Sequence, residues 1–140
     1  MNVFSYDNTF EGFLTLVFEC YFRKQFPDEI LSGEGSQGVL FASGVEVVTD
    51  ESKAERVWNG IVRKSSEDNG HRIYRVFLSE QSETPMLLMK YVRLIIDSDK
   101  NEETNFSMPI VVEFNKLHQK VCREAQRIQD RKSTRLNSSH

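Results

Sequence analysis

Apolar residues recur at three- and four-residue spacing through residues 6–27. Phe10, Phe13, Leu14, Val17 and Tyr21, with Phe18 beside them, fall on one helical face, and Glu11, Thr15, Glu19 and Arg23 occupy the other. Asn8 is placed to cap this helix, and Glu11 three residues on completes a capping box. Pro27 biases Phe26 away from helix, so the helix is expected to end near Gln25. Aromatic rings bury large areas, which makes this helix the expected centre of the core. Such a stripe belongs to a core far more often than to a base-stacking platform, which is more often built on a sheet.

The remaining pattern is shorter in period. Asn2 to Tyr6 alternates as a short strand, residues 27–38 read as a loop, and Val39–Ala42 with Val45–Val48 read as a small hairpin or two short strands around Ser43-Gly44. Thr49 or Asp50 caps a second helix with Ala54, Val57, Trp58, Ile61 and Val62 on one face. Trp58 is expected in the core, with its indole N–H needing a partner. Asp68-Asn69-Gly70 reads as a break before a helix over His71–Glu80. Pro85 suits the first turn of a helix running to Ile96, and residues 97–105 read as a charged loop. A last helix is expected from Ile110 to Gln129, with Ile110, Phe114, Leu117, Val121 and Ile128 on one face. The sum is a helix-dominated α+β fold of about five helices, with a short N-terminal strand and a small hairpin.

Composition narrows the class. A 140-residue chain that is 39% hydrophobic and 11% aromatic supports one globular core. No apolar run reaches membrane-spanning length and no signal-peptide pattern opens the chain, so a cytoplasmic protein is expected. Cys20 and Cys122 provide neither a disulfide framework nor a zinc knuckle. Arg131 to His140 is polar and without period; it is similar to translated sequencing-adapter sequence and is set apart as a non-native or disordered tail after residues 1–130. Without Arg131, Lys132 and Arg135 the 18 basic residues fall to 15 against 21 acidic ones, a net of −6. Nucleic-acid binding by bulk attraction is therefore disfavoured, although a local basic patch remains able to bind.

Catalytic signatures are missing: there is no phosphate loop, no HExxH and no nucleophile elbow, and no cofactor is indicated. Lys116, Lys120, Arg123 and Arg127 follow four-, three- and four-residue steps and form a basic stripe on the last helix. Such a stripe can contact phosphates, though most charged helix faces are simply solvated. Arg72, Arg75, Lys90 and Arg93 extend it only where their helices pack beside it. His118 and Cys122 have chelating spacing but are too few for a metal site. Asp97, Asp99, Glu102 and Glu103 lack the glycine and spacing of a calcium loop.

YDNTFEGFL at Tyr6–Leu14, TDESKAERV at Thr49–Val57, FLSE at Phe77–Glu80, YVR at Tyr91–Arg93 and VCREAQR at Val121–Arg127 occur in the order of a known pattern. Over residues 2–129 the chain resembles a bacterial family of DNA-metabolism proteins. Some members are fused to a uracil-DNA-glycosylase-like domain, and many are encoded beside a DNA-repair radical-SAM protein. Gln126 stands where the family commonly has His, and the family continues beyond the last helix, so the resemblance implies an N-terminal fragment. It supplies no catalytic residue. Arg93, Arg123 and Arg127 are the matched positions least explained by structure. Three functions are expected, in order: a non-catalytic DNA-associated module, an adaptor docking a radical-SAM partner, and part of a hydrolase completed by a further region.

Overall fold

A short strand, β1 (Val3–Tyr6), is the middle of a three-stranded sheet in the order β2–β1–β3, with β2 at Glu29–Ser32 and β3 at Gly44–Glu46. The computed structural model describes residues 2–32, 44–79 and 84–138, the last helix by its backbone alone beyond residue 127. Both pairings are parallel, with Phe4 opposite Ile30 on one side and Val45 on the other. Parallel sheets are normally covered on both faces, and Phe4, Ser5 and Tyr6 are all buried.

Two sequence expectations change here. The stretch read as a loop after Pro27 contains β2. Asn2 anchors it: its carbonyl accepts from Asp28 N at 2.7 Å, and its N–H donates to the Asp28 carboxylate at 2.7 Å. Four residues with one edge to pair give little periodicity, so tertiary pairing decides the strand. The segment after Gly44 is a strand, but it pairs in parallel with β1 instead of folding back across a turn. Val39–Ala42, the other arm of the expected hairpin, lies outside the described residues.

Helix α1 (Phe10–Arg23) is a core element: Phe13, Leu14 and Val17 of the stripe are buried and Phe10, Phe18 and Tyr21 half-buried, while Leu16 and Cys20, outside the stripe, and Thr15, read as polar-side, are wholly buried as well. Its cap is Thr9, whose hydroxyl accepts from Gly12 N at 2.9 Å. Asn8 instead takes a left-handed φ of 64°, which asparagine tolerates. Lys24, at φ 56°, caps the helix after Arg23, close to the end expected near Gln25. Helix α2 (Glu51–Lys64) is capped by Asp50, which accepts from Ser52 N and Lys53 N, and it is the main helical neighbour of α1.

Helix α3 (Glu67–Phe77) begins four residues before its expected start, capped by Ser66, so Gly70 lies inside a helix and not at a break. A Cβ on Gly70 would come within 2.7 Å of the Trp58 ring; the glycine allows close approach, not a turn. Helix α4 (Thr84–Asp97) follows, and α5 (Pro109–Ser138) closes the chain. Buried Asn69 accepts from Tyr91 Oη at 2.9 Å and joins α3 to α4. In the connection read as solvated, Glu102 is buried and accepts from Asn105 Nδ2. Helix α5 continues past Gln129 to Ser138, since RKSTRLNS holds no glycine or proline to stop it. The whole is a helix-dominated α+β fold. Among the described residues no helix is long and apolar enough to cross a membrane.

Candidate functional site

The starts of α1 and α2 meet at Asp7. Its Oδ1 accepts from Thr9 N at 3.1 Å and from Thr9 Oγ1 at 2.6 Å, while Oδ2 accepts from Thr49 Oγ1 at 2.7 Å. Burial alone would raise the Asp7 carboxyl, but the hydrogen bonds from Thr9 and Thr49 outweigh it and hold the group below its ordinary range. Gly12 explains itself here: a Cβ would collide with Asp7 Oδ1 and crowd the hydroxyls of Thr9 and Thr49. Thr15 completes the joint, accepting from Asp50 N at 3.1 Å.

Beside this joint lies an open groove of about 660 Å³ between α1, α2 and α3. Its walls are Phe10, Leu14, Ala54, Trp58, His71 and Tyr74, and its polar margin is Asp7, Thr9, Glu11, Thr49, Glu51 and Glu55. The rings stand edge to face: Phe10 lies 5.0 Å from Tyr74 and 6.1 Å from Trp58, and Trp58 lies 5.7 Å from His71. Trp58 is half-buried. Among the described residues no Lys or Arg lines the groove, and none of Glu11, Glu51 and Glu55 forms an ion pair. The threonine hydroxyls are turned to Asp7, and His71 Nε2 lies 3.5 Å from Glu67 outside the groove. Sequence reading placed Trp58 in the core and did not foresee the groove.

The predicted basic stripe is present on α5. Lys116, Lys120, Arg123 and Arg127 are all exposed, and among the described residues none forms an ion pair. They lie about 120–180° around the helix from buried Phe114 and span roughly 16 Å of its axis. The arginines of α3 do not extend this stripe. Arg72 donates to Asn115 and Arg75 approaches His118 at 3.5 Å, both on another flank of α5. Arg93 is separate too: half-buried on α4, it stacks over the Phe26 ring at 3.6 Å and lines a cleft with Lys90, Met108 and Ile110. Its Nε is buried and has no hydrogen-bond partner among the described residues.

His118 Nε2 lies 3.5 Å from Cys122 Sγ, and among the described residues no third ligand joins them. Burial, then the charges of Arg72 and Arg75, push the His118 pKa down. Cys20 is inert by the same logic, its thiol pushed up to about 12 by burial. No family profile, curated protein or solved structure matches the chain.

Proposed function

We propose that this chain is a non-catalytic, cytoplasmic binding module of DNA metabolism that contacts the phosphate backbone through the outer face of α5. One observation supports it most: four cations share an exposed helix face, and none of them forms an ion pair among the described residues. The motifs shared with the DNA-metabolism family supply the class. A radical-SAM protein is the partner that the same likeness implies, and the aromatic groove favours a second, protein-docking surface on the opposite errand.

The test is duplex-DNA binding by the full chain at low salt, followed by fluorescence anisotropy. Arg123→Glu combined with Arg127→Glu should weaken binding and flatten the log–log salt slope by about 2. Absence of binding by the parent chain, or an unchanged slope in the variant, overturns the reading.

A further inference from the structure

The groove between α1, α2 and α3 differs in chemistry from the α5 stripe. Its floor is ring surface from Phe10, Trp58 and Tyr74, and Tyr74 keeps 41% of its area exposed. Its rim carries the carboxylates of Glu11, Glu51 and Glu55 on two helices. We infer that this groove docks a basic segment of a partner protein, with arginine or lysine side chains laid across the Phe10–Trp58–Tyr74 rings and paired to Glu51 and Glu55.

Charge complementarity selects this occupant. Ring faces are electronegative and attract a cation placed within about 6 Å, and flanking carboxylates add to that attraction. Glu11 and Glu51 stand in the first turns of their helices, where carboxylates already favour the dipole. Glu55 lies one turn beyond and gains nothing there, yet it too faces the groove without an ion-pair partner among the described residues. Asp7 is satisfied internally by Thr9 and Thr49, so it shapes the rim and leaves three carboxylates for a ligand. Carboxylates spread over two helices suit several cations on one chain better than a single small amine. The apolar walls of Leu14 and Ala54 suit the aliphatic stems of long basic side chains and apolar residues between them.

Trp58 is the sole tryptophan, so its fluorescence reports on the groove directly. The full chain is titrated with a short blocked peptide alternating arginine and leucine. A saturable change in Trp58 emission that weakens as salt rises is expected. Glu51→Gln combined with Glu55→Gln should weaken binding about tenfold with at most a small fall in melting temperature, since both side chains are exposed and only Glu51 gives up a contact with its helix dipole. No saturable response from the parent, or equal affinity in the variant, overturns the proposal. Equal affinity for spermidine or for the corresponding glutamate–leucine peptide also overturns it, the first by removing the protein segment and the second by removing charge selection.

Discussion

The Asp7 carboxylate and the Thr49 hydroxyl, far apart in sequence, meet at 2.7 Å and lock the starts of α1 and α2 together. Asp7→Ala removes this bond and those to Thr9, and is expected to cost about 1 kcal/mol or more in urea denaturation. The pH sign follows from the lowered folded pKa. The stabilisation is present above the unfolded value near 3.8 and is lost as pH falls through the lower folded value. Asp7→Asn should therefore flatten the acid limb of a stability–pH curve; an unchanged limb would show that the carboxylate is not held ionised.

Two helical glycines should respond oppositely to alanine. Nothing lies within 4 Å of a Cβ at Gly60, so Gly60→Ala should stabilise α2 by about 0.5–1 kcal/mol. At Gly70 the same methyl meets the Trp58 ring, and overpacking of about 1–3 kcal/mol should outweigh the helix gain. Thermal melts of the two variants, moving in opposite directions, check the packing of α2 on α3.

Tyr91→Phe keeps the ring stacked on Phe114 at 3.9 Å but leaves Asn69 Oδ1 without its donor. Asn69 is wholly buried, so the loss is expected at about 1–3 kcal/mol in chemical denaturation. A neutral result would mean that water reaches Asn69.

His118 supplies a second pH signature. Its folded pKa is depressed by burial and by Arg72 and Arg75, with Asp68 opposing. Above the ordinary value of 6.5 the group is neutral in both states and contributes no pH dependence. As pH falls below that value the unfolded chain binds the proton more readily, and stability declines until the folded pKa is passed. His118→Gln should remove this decline, which sets in as pH falls through about 6.5, in urea midpoints.

What the sequence disclosed follows from where each signal resides. The α1 stripe and the α5 basic stripe each belong to one helix, so spacing alone displays them. Strand β2 owes its existence to β1 and carries no periodicity of its own. Gly70 looks like a breaker until Trp58 supplies the reason for it. The groove combines Asp7–Leu14, Thr49–Trp58 and His71–Tyr74, and no single window shows rings and carboxylates converging. Trp58 reads as interior because its helix face is apolar; only the arrangement of α3 reveals that one side of the ring stays open.

The parallel pairing of Val3 with Gly44 has a temporal consequence. The amino-terminal strand cannot acquire its second neighbour until the chain through β3 has been synthesised, and closing so long a loop is entropically slow. Thr49 follows β3 closely, so the Asp7 clasp should form together with that late sheet edge. A ligand held in the groove would then act as a brake on the reverse step, lengthening the lifetime of the folded chain.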